Sequence, residues 1–180
     1  QKWVGVRYAI AVSNGSVALD LALKSLDLKK GDEVIVTPRS FVASATSVVN
    51  CGAKPVFADV DLSSGNLSSK TIIRKITKKT KAIICVHLGG LPCEMDEILK
   101  LAKKFNLYVI EDCAQAHGAF YKNKSVGSIG HIGAWSFCQD KIITTGGEGG
   151  MITTNDKKLW QKMWAFKDHG KNYHSVFKKK

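Results

Sequence analysis

The segment SFCQDKIITTGGEGG, residues 136–150, holds one lysine, Lys141, followed by four glycines interrupted only by Glu148. An amine attacks a carbonyl only when deprotonated, so a lysine becomes a nucleophile where burial or nearby positive charge lowers its pKa. The glycines would let the backbone close around a bulky ligand, or equally form an ordinary hairpin turn. Ser136, five residues before the lysine, offers a hydroxyl to a phosphate.

A second constellation is VIEDCAQAHGA, where Glu111 and Asp112 end an apolar run. Side chains alternate along a strand, so the two acids are expected on opposite faces of a sheet. A carboxylate fixed there can anchor a protonated ring nitrogen, with Gln115 bonding the same ligand; an Asp before a small-residue turn equally serves as a helix cap. The stretch SNGS, residues 13–16, follows another apolar run. Gly15 permits a sharp turn, and Ser16 falls at a helix start where free amides and the helix dipole suit a phosphate, although Asn, Gly and Ser are also common turn and cap residues. PRSFVAS sets Phe41 near the same mouth, where an aromatic taken alone reads as core.

Such residues need a scaffold that brings distant strand ends together. Short β-branched runs alternate with longer amphipathic ones, the sign of an α/β domain with a largely parallel sheet. YAIAV (8–12), DEVIVT (32–37), KPVFADV (54–60), KAIICVHL (81–88), LYVIED (107–112), GAWSFC (133–138) and GGMITT (149–154) read as strands of one seven-stranded sheet. SVALDLALKSL and EMDEILKLAKKFN carry helical spacing, the second with Ile98, Leu99, Ala102 and Phe105 on one face. Further helices are expected after caps at Ser68 and Asn155. Ligands of open α/β sheets bind at the carboxyl ends of strands, which is where these candidate residues fall.

The chain has 180 residues, 44% of them hydrophobic, enough for one domain. No run reaches the roughly 18 apolar residues of a membrane span, and the start lacks signal-peptide order, so the expected compartment is the cytoplasm, without membrane association. Five cysteines without a C-x-x-C pair read as reduced, mostly buried thiols, and no metal site is expected. Lys and Arg number 27 against 15 acids, for a net charge of +12. This balance favours anionic partners. The lysines are scattered, however, with no basic stripe interleaved by aromatics, and no nucleic-acid role is expected. Both ends read as cut: the chain opens in a strand-forming segment and closes in HGKNYHSVFKKK without a terminating element.

Together these motifs resemble a known family. SFCQDKIITTGGEGG is similar to the S-F-x-x-x-K…G-E-G-G segment of the DegT/StrS-type sugar aminotransferases, which are fold-type I pyridoxal-phosphate enzymes. The match runs in order through SNGSVALDLAL, PRSFVASATSVV, CGAKPVFADVD, VIEDCAQAHGA and KDHG, and covers nearly the whole chain. The resemblance implies a large domain with a mostly parallel seven-stranded sheet flanked by helices, and pyridoxal 5'-phosphate as cofactor. It implies that Lys141 forms the Schiff base and shuttles the proton, that Asp112 pairs with the pyridine nitrogen, that Gln115 holds the phenolic oxygen, and that Phe41 stacks on the ring. Ser136 and the backbone at Gly15, Ser16 and Val17 would hold the phosphate, and His117 would face the substrate. A dehydratase branch of the family carries histidine in place of the lysine, so Lys141 favours transamination.

The implied reaction moves an amino group from an amino acid, usually glutamate, to a nucleotide-linked keto-sugar, in a homodimer with its site near the subunit interface. Members of the family run to roughly twice this length, in line with two-domain architecture, so residues 1–180 are expected to be a large domain lacking an N-terminal segment and a C-terminal small domain. A truncated, non-catalytic fragment or binding module is the alternative. A Rossmann-type nucleotide module is disfavoured, because SNGSVA lacks the G-x-G-x-x-G spacing.

Overall fold

In the computed structural model, which describes residues 1–177, the alternation of apolar and amphipathic runs becomes an alternation of strands and helices. In chain order these are β1 (Tyr8–Val12), α1 (Gly15–Lys24), β2 (Glu33–Val36), α2 (Ala43–Asn50), β3 (Lys54–Phe57), α3 (Ser69–Ile73), β4 (Thr80–Val86), α4 (Met95–Phe105) and β5 (Tyr108–Asp112). The two-residue strands β6 (Phe120–Tyr121) and β7 (Lys124–Ser125) follow, then β8 (Ile132–Ser136), β9 (Gly150–Thr154), α5 (Lys157–Lys167) and α6 (Tyr173–Phe177).

Seven strands form one sheet in the order β1-β9-β8-β5-β4-β2-β3, while β6 and β7 pair apart from it as a small hairpin. The run from β3 to β8 is parallel throughout. β9 is antiparallel to both of its neighbours, so it alone runs against the rest. The sheet is thus mostly parallel, as expected; β2 and β8 are buried along their whole length, and β5 from Val109 onward. That burial on both faces explains their near-continuous apolar runs.

Alternation divides the core. Val34, Val36, Ala82, Ile84, Ile110, Ile132, Ala134 and Ile152 face α1, α2 and α5, packing with Leu19, Leu23, Val48, Leu159 and Met163. Ile35, Ile83, Cys85 and Val109 face the other way, against Ile72 of α3 and Met95, Ile98 and Leu101 of α4. Each buried Val, Leu, Ile or Met among these contributes roughly 1.5–3 kcal/mol by leaving water.

The helices depart from expectation in four places. α4 buries Met95, Ile98, Leu101 and Ala102, whereas Phe105 is 39% exposed, because the stripe drifts around a straight helix toward its carboxyl end. The cap of α5 is Asp156, whose carboxylate accepts from the amides of Lys158 and Leu159; Asn155 instead accepts from the amide of Arg7 and ties down the segment before β1. Ser68 caps α3 with a reciprocal bond to Thr71, as its sequence indicates. α2 was not anticipated, being rich in Ser, Thr and Val and lacking a side-chain cap; packing of Ala43, Ser44, Ser47 and Val48 against the sheet and α1 overrides weak propensity. Finally, HGKNYHSVFKKK does contain a short helix, α6, while its last three lysines lie outside the described residues. Among the described residues no helix is long and apolar enough to cross a membrane.

Candidate active site

The strands pointing the same way, β1, β2, β3, β4, β5 and β8, end on one side of the sheet, and a cavity of about 340 Å³ opens there. Its walls include Gly15, Ser16, Ser40, Phe41, Asp112, Gln115, Ser136 and Lys141. A larger hollow of about 750 Å³ lies at the opposite end, beside the first residues of β4 and β5. Its lysines, Lys29, Lys78 and Lys81, stand in solvent, and no convergent set of reactive groups accompanies them.

The start of α1 forms one wall. Asn14 accepts from the Val17 amide at 2.9 Å through its side chain and from the Ala18 amide at 3.1 Å through its carbonyl, which leaves the Gly15 and Ser16 amides without partners among the described residues. Those two amides, backed by the helix dipole, make an anion cradle. Glycine is required on both sides of this contact: a Cβ on Gly15 would lie 2.6 Å from Ser136 Cβ, and one on Gly150 would lie 2.3 Å from the Asn14 carbonyl oxygen. The helix start is therefore seated directly on the ends of β8 and β9, with the Ser136 hydroxyl beside the free amides. Val17 is placed elsewhere. Its amide is already bonded, and its side chain borders a separate surface groove with Lys24 and Phe166.

At the end of β5 the two acids part as alternation requires. Glu111 turns toward the α3–α4 side and is fully buried. Its oxygens accept from His87 Nε2 at 3.0 Å and from the amides of Gly127, Ile129 and Gly130 at 2.8, 2.8 and 2.6 Å. His87 Nδ1 accepts from the Cys93 amide, so the ring proton sits on Nε2. Glu111, His87 and Cys113 bring potential ligand atoms within 4.8 Å of one another, but the carboxylate and both imidazole nitrogens are already engaged. This cluster is a buried clamp on the loop before β8.

Asp112 turns to the cavity side. One oxygen accepts from the Ala114 amide and the other from the Ser44 hydroxyl, both at 3.1 Å. Burial pushes its carboxyl above the usual range, opposed by those two bonds and by the charge of Lys141. It is a desolvated carboxylate with room for a cation.

Lys141 lies in the loop between β8 and β9. The Phe137 amide donates to Gly149 and the Phe137 carbonyl accepts from Thr145, closing the loop at its base. Lys141 Nζ stands 3.3 Å from Asp140 Oδ1, which also accepts the Cys138 thiol at 2.7 Å. The lysine side chain is only 21% exposed. Gln115 Oε1 accepts from the Gly89 amide, leaving its NH₂ group as the unbonded end, and Phe41 stands 70% exposed at the mouth.

His117, expected to face a substrate, is buried instead. Its Nε2 donates to the Ser136 carbonyl at 2.8 Å, and its ring packs between Trp135 and Phe137. It braces the strand end from behind, and burial lowers its pKa. Sequence reasoning missed Ser40 and Ser44. Nothing in PRSFVAS separates their hydroxyls from those of any loop serine, because Ser40 bonds Ser44 and Ser44 bonds Asp112, 68 residues away.

The family model for the DegT/DnrJ/EryC1/StrS aminotransferase family matches residues 1–180. The chain is 52% identical over 172 residues to the GDP-perosamine synthase of Escherichia coli O157:H7, covering 96% of this chain and 47% of that protein. It is similar to the solved aminotransferase from Psychrobacter cryohalolentis, with a TM-score of 0.98 and 66% identity over 99% of this chain and 45% of that one. It is also similar to NtdA from Bacillus subtilis, solved with bound cofactor PMP, with a TM-score of 0.85 and 33% identity over 92% of this chain and 37% of that one. The chain thus spans about half the length of the curated relatives it matches.

Proposed function

The chain belongs to the DegT/DnrJ/EryC1/StrS aminotransferase family, and from that premise we propose that it is the pyridoxal 5'-phosphate-binding large domain of a nucleotide-sugar aminotransferase. The reaction moves an amino group from an amino acid, with L-glutamate as donor, to a nucleotide-linked keto-sugar in polysaccharide or amino-sugar biosynthesis. The observation that carries this reading is the convergence of Lys141, Asp112 and the free amides of α1 on one cavity.

The residues fit the cofactor on their chemistry. A buried carboxylate without a cationic partner of its own suits a protonated ring nitrogen. Two free amides and a hydroxyl at a glycine-seated helix start suit a phosphate. When bound, pyridoxal 5'-phosphate supplies an aldehyde for amino-group exchange and a ring that takes up electron density. Lys141 supplies the nucleophilic amine and carries the proton at Nζ. Asp112 keeps the ring nitrogen protonated, the Gln115 NH₂ holds a ring oxygen, and Phe41 covers the ring from the mouth. Gly15, Ser16 and Ser136 bind the phosphate; Val17 contributes shape to the helix start and no free amide.

The substrate class is supported by the name of the Escherichia coli relative, a GDP-perosamine synthase, and the cofactor by the PMP-bound relative. In this reading the remainder of the protein adds an N-terminal segment and a small C-terminal domain. A homodimer is supported by apolar side chains standing exposed around the mouth: Phe41, Val42, Ile142 and Ile143. A cytoplasmic location is supported by five free cysteines, the state expected of a reducing compartment.

The test is to add pyridoxal phosphate to the chain and to Lys141→Ala, reduce with borohydride, and locate the modified peptide by mass spectrometry. Cofactor trapped on Lys141, and absent from the variant, is the expected result. Trapping on another lysine, or equally in both proteins, overturns the assignment.

A further inference from the structure

Ser44 sits in the first turn of α2, 1% exposed, 68 residues from the carboxylate it meets. Its hydroxyl donates to Asp112 Oδ2 at 3.1 Å, and its oxygen lies 2.7 Å from that of Ser40. Ser40 in turn borders the cavity. Because the proton of Ser44 is committed to Asp112, Ser40 must be the donor within the serine pair. The hydroxyls therefore form a chain with a fixed direction, from the cavity wall inward to the carboxylate. A proton on Asp112 would reverse that direction, since the acid would then donate to Ser44.

We propose that Ser44, supported by Ser40, is a positioning residue that keeps the Asp112 carboxylate ionised and aimed for a cationic group in the cavity. That the cation is a pyridinium nitrogen rests on the function proposed above; the hold on the carboxylate does not. The physical need is plain. Asp112 is removed from water, which favours its neutral form, and only two donors oppose this within hydrogen-bond range: the Ala114 amide and Ser44. The other titratable groups that face it are His87, just after β4, with its one ring proton on Nε2, and Lys141, from the loop after β8. Neither is bonded to it. A neutral Asp112 would present a dipole where a cation needs a full negative charge.

The decisive measurement is a carbon-13 NMR titration of the Asp112 carboxyl in the cofactor-free protein, assigned with Asp112→Asn. It is made on wild type, Ser44→Ala, Ser44→Thr and Ser40→Ala. Ser44→Ala should raise the midpoint by about one pH unit, a tenfold gain in proton affinity, which is the scale of one hydrogen bond to a charged group. Ser44→Thr keeps the hydroxyl and should titrate as wild type. Ser40→Ala should move the midpoint the same way by less.

An unchanged midpoint in Ser44→Ala overturns the proposal, as does an equal shift in Ser44→Thr. A merely structural serine would alter melting and leave the midpoint in place. The second readout is pyridoxal phosphate affinity against pH: its fading at low pH should set in about one unit higher in Ser44→Ala. If no protein binds the cofactor while the NMR shift appears, the positioning role stands and the cofactor assignment falls.

Discussion

Replacing Gly15 by alanine tests whether the anion cradle depends on direct contact between α1 and β8. The added Cβ would lie 2.6 Å from Ser136 Cβ, 3.2 Å from its Oγ and 3.3 Å from its Cα. Carbon atoms in contact prefer about 3.5–4.0 Å, so the two elements must part by roughly 1 Å. A rotamer change cannot relieve this, because both Cβ atoms are fixed to the backbone. β8 cannot yield easily either: Ser136 pairs with Gly150 of β9, and its carbonyl is held by His117. The helix start must therefore lift.

Overpacking of this kind costs about 1–3 kcal/mol. In a domain of this size, each kcal/mol moves Tm by about 2–4 °C, so the expected fall is roughly 2–12 °C. Gly147→Ala is the control, since a Cβ there meets nothing within 4 Å. It should be neutral or stabilising by about 0.4–1 kcal/mol. Urea and thermal unfolding followed by circular dichroism give both stabilities. Titration with pyridoxal phosphate should show Gly15→Ala weakened about tenfold, near 1.4 kcal/mol, as the free amides withdraw from the Ser136 hydroxyl. A Gly15→Ala protein within about 0.5 kcal/mol of wild type, with unchanged cofactor affinity, would refute the claim that this contact builds the site.

Two further outcomes are expected. Glu111→Ala strips four donors of their acceptor, two of them fully buried, and should cost about 3–5 kcal/mol in urea unfolding; a loss below about 1 kcal/mol would show that the loop before β8 does not rely on the clamp. Asp112 is raised in the folded chain above its ordinary 3.8, so the folded protein takes up that proton before the unfolded one does. Its contribution to stability is therefore greatest at and below the ordinary carboxylate range and is lost as pH rises through the folded value. Unfolding of the cofactor-free wild type and of Asp112→Asn should show their stability difference shifting in favour of Asn as pH goes from about 4 to 7; a difference independent of pH would contradict the buried-charge reading.

Much of this was legible locally. Val- and Ile-rich runs separated by amphipathic segments dictate an α/β domain, because strand and helix periodicity are written in near neighbours. The order of motifs from SNGS to GEGG named the family, and period-two alternation alone sent Glu111 and Asp112 to opposite faces. What the tertiary structure decided is who meets whom. Only packing turned the weak helix-forming stretch Ala43–Asn50 into α2, and so brought Ser44 to Asp112. Only pairing reversed β9 and set its first glycine under Asn14. His117 left the cavity for the back of β8, and Val17 spent its amide on Asn14. Each of these rests on a hydrogen bond or steric contact that a residue's own type leaves open among several partners. The choice is made where backbone direction and burial leave only one partner within reach.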